Sequence, residues 1–261
     1  MSSHKEYESF YSVVNKAVEN GCRSFDTAPS YKTEPILGRA IRQCIVEHDL
    51  TRSDFFIQNK IDAWQMQDGK KDIENHVTQS LKCMDMDYFD SLLIHWPIPE
   101  FFNKTWEALQ YLKLKGVVNR IGVCNVRLRH LKEFHSLDMA PDYIQIERHP
   151  LMVFEDEINF CKANNINVQA YSPLCKMHAN LKDSSTLKLY SEKYGKSIGQ
   201  VILRWHVDTG VIPVFTSRKP ERVVEYLNIF DFKLNDEDIK SICGLNENYK
   251  LCLESFACPG F

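Results

Sequence analysis

Four residues in the first hundred could move protons: Asp26, Tyr31, Lys60 and His95. Three of them sit inside or at the end of the short apolar runs "CRSFD", "FFIQNK" and "YFDSLLIHW", and Tyr31 follows the first run by five residues. A tyrosine beside a lysine is an acid–base device. A phenol has a pKa of roughly 10, and a nearby ammonium favours the phenolate and draws it toward neutral pH. A carboxylate at Asp26 would keep that lysine charged and oriented, while His95 could hydrogen-bond a carbonyl or share a proton relay. Taken singly, ordinary roles compete: Asp26 as a turn or cap residue, Tyr31 as a pocket-lining aromatic, His95 as a structural histidine. Lys60 resists such a reading, because a lysine closing an apolar strand needs a partner.

Positioning these groups requires strands that share one exit face. Seven apolar runs read as buried strands: 22–26, 55–60, 88–96, 119–123, 142–147, 166–171 and 210–215. Helical patterns lie between them. Ile73, Val77 and Leu81 repeat every four residues, Ser197 and Gln200 form a capping box, and Asn235 caps a helix whose first turn carries Asp236, Glu237 and Asp238. Strand and helix alternate throughout 1–261 without a flexible linker or repeat, which predicts one parallel β/α domain, and the length suits barrel closure. An eight-fold barrel needs eight strands, yet the chain starts with a helical face of Tyr7, Phe10, Val13, Val14 and Ala17. The expected fold is therefore a (β/α)8 barrel whose first strand is missing, with weakened stability.

Composition narrows the partners. A net charge of −3, with 26% charged and 44% hydrophobic residues, gives no basic surface for nucleic acid or an anionic membrane. No apolar run reaches the roughly 18 to 20 residues of a membrane span, and "MSSHKEYESF" lacks the apolar core of a secretory signal. Nine scattered cysteines without a C-x-x-C pair read as reduced cytoplasmic thiols and offer no metal site.

Several segments resemble the aldo-keto reductase family, in family order: "GCRSFDTAPSYKTEPILGRAI" (21–41), "SLLIHWP" (91–97), "IGVCN" (121–125), "AYSPL" (170–174) and "PERVVEYLNIFDFKL" (220–234). The resemblance covers 5–261 and implies a barrel that binds a nicotinamide cofactor without a Rossmann domain. In keeping with this, none of the ten glycines forms G-x-G-x-x-G. It implies Tyr31 as general acid, Lys60 and Asp26 as its tuning pair, and His95 as the residue that orients the carbonyl. It further implies that Tyr171 stacks on the nicotinamide, Asn125 and Gln145 bind its carboxamide, and Ser172 and Leu174 cover the pyrophosphate, with Cys124, Thr216, Ser217 and Arg222 completing the cofactor set.

The chain departs from the family pattern in three places. A first hairpin and strand with a Gly-rich segment are absent, Cys124 stands where serine is common, and Thr216 and Tyr226 replace a lysine and an asparagine usual in NADP-binding members. Arg222 is kept, with Arg218 and Lys219 beside it, so NADPH is the expected cofactor and NADH the alternative. Short segments at Pro97–Thr105 and after Leu174 resemble the short-looped microbial subgroup, of 2,5-diketo-gluconate-reductase type, with an open site for small aldehydes or ketones. Phe256 and Phe261 in the tail are candidate wall residues, and a monomer is the family default. The main expectation is an NAD(P)H-dependent carbonyl reductase; the alternative is a non-catalytic or truncated nucleotide-binding member of the same fold.

Overall fold

The runs rich in β-branched, aromatic and aliphatic residues form seven strands: β1 (Ser24–Asp26), β2 (Phe56–Ile61), β3 (Phe89–Ile94), β4 (Val118–Cys124), β5 (Tyr143–Glu147), β6 (Asn167–Tyr171) and β7 (Val211–Val214). The structure is a computed structural model and describes residues 4–67, 70–136 and 140–252. All strands are parallel and pair in chain order, β1 through β7. Each of the seven predicted strands is present. β2 and β3 each bury all but one residue, as expected where helices cover the outside and side chains fill the inside.

The helices are α1 (His4–Glu19), α2 (Glu34–Glu47), α3 (Lys70–Met84), α4 (Pro99–Leu114), α5 (Leu128–Ser136), α6 (Glu155–Ala163), α7 (Ala179–Lys182), α8 (Ser185–Tyr194), α9 (Ile198–Asp208), α10 (Pro220–Leu227) and α11 (Asp236–Cys243). Ser197 and Gln200 form the expected capping box on α9, and Asn235 accepts a hydrogen bond from the Asp238 amide at the start of α11. On α1 the buried seam is Tyr7, Tyr11, Val14, Ala17 and Val18, so Phe10 and Val13 flank the predicted face rather than centre it. The two tyrosines pull the seam round. Their rings stack 5.8 Å apart, the Arg39 guanidinium lies 3.5 Å from the Tyr7 ring centroid, and the Tyr7 hydroxyl donates to Gln43 Oε1 at 2.6 Å, docking α1 on α2. Gly21 closes this helix at φ +84°, a conformation that side chains with a Cβ rarely adopt.

The barrel is nearly closed. β1 pairs with β2 and β7 with β6, and among the described residues no strand joins β1 to β7. The helical layer nevertheless continues across this seam, since α1 packs on both α2 and α10, and α10 packs on α9. Exposure rises at the two edges: Ser24 is exposed and Ile212 is 44% exposed. One hydrophobic cluster joins α1 to α6 with the strand faces they cover, and a second joins α8 to α11. The barrel interior holds a polar layer. Gln58 and Gln169 exchange two amide hydrogen bonds of 2.8 and 3.0 Å, and Gln145 Nε2 donates to Gln169 Oε1 at 3.0 Å.

Candidate active site

Strand register brings the acid–base groups together. Asp26 pairs with Gln58 across β1 and β2, which leaves Lys60 two residues further along β2 and on the same face. The Lys60 side chain is wholly buried, and its Nζ donates to Asp26 Oδ2 at 2.5 Å and to the Thr27 carbonyl at 3.1 Å. Asp26 Oδ1 accepts from Gln58 at 2.7 Å and from Gln145 at 3.1 Å, so both carboxylate oxygens are bonded. Burial alone would lower the Lys60 pKa. The Asp26 carboxylate and the neighbouring Tyr31 and Cys124 outweigh it, and the ammonium is held above its ordinary value.

Tyr31 ends the 3-10 turn Pro29–Tyr31, where a proline supplies the first turn residue and Lys32 takes a left-handed φ of +57°. The turn folds the phenol back over the strand ends. Lys60 Nζ lies 4.8 Å from the ring centroid, and the Tyr31 hydroxyl lies 3.3 Å from His95 Nε2, the two rings meeting edge-on at 85°. One sequence expectation is corrected here, because Tyr31 is not drawn toward neutral pH. Loss of hydration pushes it up to about 12; Lys60 opposes this, while Asp26 adds to it. At neutral pH Tyr31 keeps its proton and can donate it.

His95 follows β3 directly. Ile61 pairs with Ile94, so the next residues, Asp62 and His95, stand level at the exits of adjacent strands. His95 Nδ1 meets Asp62 Oδ1 at 2.5 Å. Asp62 is 5% exposed and also accepts from the Ser30 amide at 2.7 Å and the Ser30 hydroxyl at 3.0 Å. Burial would raise its carboxyl, but His95 and Ser30 hold it below the ordinary carboxylate range. Sequence reasoning missed Asp62. The available signal was an acid two residues beyond Lys60 on the same strand face.

Asn125 and Tyr171 also meet at this mouth. Asn125, at φ +60° just after β4, donates from Nδ2 to the His95 carbonyl at 2.9 Å and accepts from the Tyr171 hydroxyl at 2.8 Å. Each end of that amide keeps further hydrogen-bonding capacity. Cys124, at the end of β4, is buried, and burial pushes its thiol up, with Lys60 opposing and Asp26 adding to it. Gln145 Nε2 bonds Asp26 and Gln169 within the barrel, because β5 directs it into the polar layer.

Beside this pocket runs a groove of about 930 Å³. Ser172, Leu174, Thr216, Ser217 and Arg222 line it, and so do Lys176, Lys182, Arg218 and Lys219. Five cations face one acid, Glu225, which is already engaged by the Ser197 hydroxyl at 2.6 Å. Such a donor set fits a polyanionic nucleotide, so the residues present suit a phosphorylated dinucleotide. Tyr226 forms part of the floor. It is buried, its ring meets Phe215 edge-on at 5.4 Å, and a Cβ on Gly199 would come within 3.0 Å of it. At the mouth, Glu147 accepts the Leu251 and Cys252 amides at 2.5 and 2.8 Å, bringing the start of the tail to the end of β5. Phe256 and Phe261 lie outside the described residues.

A parallel barrel with an acid–base cluster at its strand exits and a cationic groove alongside defines a nucleotide-dependent oxidoreductase barrel. Residues 2–247 match the aldo/keto reductase family model. A glyoxal reductase of Bacillus subtilis is 36% identical over 239 residues, 91% of this chain and 84% of that protein. The methylglyoxal reductase DkgA of Escherichia coli K12 is 31% identical over 247 residues, 94% of this chain and 87% of the relative. Among solved structures, an aldo-keto reductase of Bombyx mori in complex with NADP superposes with a TM-score of 0.87 at 29% identity, covering 96% of this chain and 87% of that one. The chain belongs to the aldo/keto reductase family. It is an NAD(P)H-dependent oxidoreductase that reduces a carbonyl group to an alcohol.

Proposed function

We propose that the protein reduces small aldehydes and ketones, 2-oxoaldehydes such as methylglyoxal among them, with NADPH. The observation that carries this reading is the meeting of Tyr31, His95, Lys60 and Asp26 at one barrel mouth beside a five-cation groove. Bound NADPH supplies the hydride. Tyr31, holding its proton at neutral pH, donates it to the carbonyl oxygen as the alcohol forms. Lys60, fixed by Asp26, sets positive charge beneath the Tyr31 ring and stabilises the phenolate left behind. His95 borders the place of the reacting oxygen.

Asn125 and Tyr171 hold the nicotinamide end of the cofactor, with Gln145 and Cys124 supporting the barrel side and Ser172 and Leu174 covering the pyrophosphate. Arg222, Thr216 and Ser217, joined by Lys219, Lys176 and Lys182, take the adenosine phosphates. A 2′-phosphate adds roughly two negative charges to pair with this groove, which favours NADPH over NADH. The small-substrate reading draws on the short link between His95 and α4, three residues long, and on the names of the two bacterial relatives.

We also read the 261 residues as one catalytic domain that works as a monomer in the cytoplasm. The eight described cysteines, all unpaired, are in keeping with a reducing compartment. A panel of glyoxal, methylglyoxal, short aldehydes and bulky ketones, followed by loss of NADPH absorbance, tests the assignment. Turnover favouring the small dicarbonyls is expected. A folded, NADPH-binding protein that turned over none of them would refute it.

A further inference from the structure

The reading of Tyr31 as acid leaves Asp62 unused, although its carboxylate accepts three hydrogen bonds at the mouth, as many as Asp26 does. An ionised carboxylate only accepts hydrogen bonds. All three of its contacts therefore fix a proton on the partner: the Ser30 amide, the Ser30 hydroxyl and His95 Nδ1. With Nδ1–H committed to Asp62, a neutral His95 carries a lone pair on Nε2, the nitrogen 3.3 Å from the Tyr31 hydroxyl. In that state Nε2 accepts from Tyr31 and has nothing to donate. Only the imidazolium, protonated on both nitrogens, presents an Nε2–H to the mouth.

Resting on the reductase reading above, we propose that Asp62 is a positioning residue that confines His95 to the Nδ1–H form, so that His95 serves the reaction only as an imidazolium that reprotonates Tyr31. The proton balance is simple. The Tyr31 O–H bond breaks as its proton passes to the alcohol oxygen, the His95 Nε2–H bond breaks as its proton passes to Tyr31 Oη, and His95 is left neutral with Nδ1–H still on Asp62. The imidazolium and the Asp62 carboxylate form an ion pair, which gives the charged state a buried counter-ion within 2.5 Å. Activity should therefore fall as His95 loses its proton.

The other ionisable groups around His95 do not produce the same fall. From the turn before α2, Tyr31 is pushed up to about 12. From β2, Lys60 is held above its ordinary value and Asp62 below its own. From β4 and β6, Cys124 and Tyr171 are raised by burial. Asp26 on β1 faces Lys60 rather than His95. Among these groups only Asp62 and Tyr31 are bonded to the His95 ring, so those two contacts decide which of its nitrogens carries a proton.

The test uses Asp62→Asn in the full chain. An asparagine has one accepting oxygen and one donating nitrogen, so it cannot serve both the Ser30 amide and His95 Nδ1–H as the carboxylate does. Nitrogen-15 spectra of the histidine rings, with His95 assigned by His95→Asn, report the tautomer in wild type and variant with NADP⁺ bound. The expected result is Nδ1–H alone in neutral wild type and a several-fold gain of Nε2–H in D62N. In parallel, kcat/KM for methylglyoxal should fall about tenfold per pH unit on the alkaline limb of wild type, and the limb should flatten in D62N. An Nε2–H tautomer in wild type, or the same tautomer and the same limb in both proteins, would overturn the proposal. Undiminished turnover by a Tyr31→Phe protein would instead overturn the reductase assignment and leave the ring spectra as they are.

Discussion

Lys60 shows how burial and pairing decide chemistry at a single residue. Its ammonium is taken wholly out of water, a cost that the 2.5 Å contact with Asp26 and the Thr27 carbonyl must offset. Replacing it with methionine strands the Asp26 carboxylate inside the barrel, and breaking a buried pair in this way costs about 3–5 kcal/mol. Denaturant titration of Lys60→Met at pH 7 should show that loss. The sign with pH follows from the raised folded-state pKa: the contribution is fully present below the ordinary lysine value of 10.5 and is lost as pH climbs through the higher folded value. The gap between wild type and variant should therefore narrow above pH 10.5, and a gap that widened there would refute the pairing. From sequence, the partnership of Lys60 and Asp26 was legible because both close apolar strands. Asp62 was less so: an acid two residues beyond Lys60 was in view, but its meeting with His95 depends on the register of Ile61 with Ile94, which no local pattern encodes.

Elements supply the register and the groove. The seven strands were legible because buried parallel strands are apolar on both faces and stand out against amphipathic helices. The centre of α1 was less so, because the stacked Tyr7 and Tyr11 rings and the Arg39 contact draw the buried face away from Phe10 and Val13. Close packing then fixes position: a Cβ on Gly122 of β4 would lie 2.1 Å from the Tyr143 carbonyl of β5, so glycine there lets the strand carrying Cys124 approach its neighbour. The cationic groove was half legible. Thr216, Ser217 and Arg222 lie in one segment, whereas Lys176 and Lys182 arrive from the connection after β6 and join them only in the folded barrel. Removing one charge-assisted hydrogen bond costs about 1.5–3 kcal/mol. Arg222→Ala should accordingly weaken NADPH binding by about ten- to a hundredfold while leaving NADH nearly unaffected, measured by quenching of tryptophan fluorescence. Equal losses for both nucleotides would remove Arg222 from the 2′-phosphate.

At the scale of the whole molecule, the barrel keeps its site despite a seam. The sheet runs from β1 to β7 without a pairing between its ends, and the helical layer spans the gap where α1 meets α10. Asp26 stands on the edge strand β1, yet its carboxylate is held by side chains from β2 and β5, so the acid–base cluster is anchored from the intact side of the barrel. Asp26, Tyr31, Lys60 and His95 lie on β1 to β3 and their exits, away from β7 and the seam, so the apolar strand runs that carry them were readable in the sequence without the barrel's closure. No helix among the described residues is long and apolar enough to cross a membrane. In the proposed reaction, Tyr31 is the acid on which carbonyl reduction at this mouth depends. The most direct measurement is NADPH binding and methylglyoxal turnover by Tyr31→Phe beside wild type. Unchanged NADPH affinity with kcat reduced by about 10² to 10⁴ is expected for loss of a general acid; a Tyr31→Phe protein that bound NADPH and turned over at the wild-type rate would contradict it.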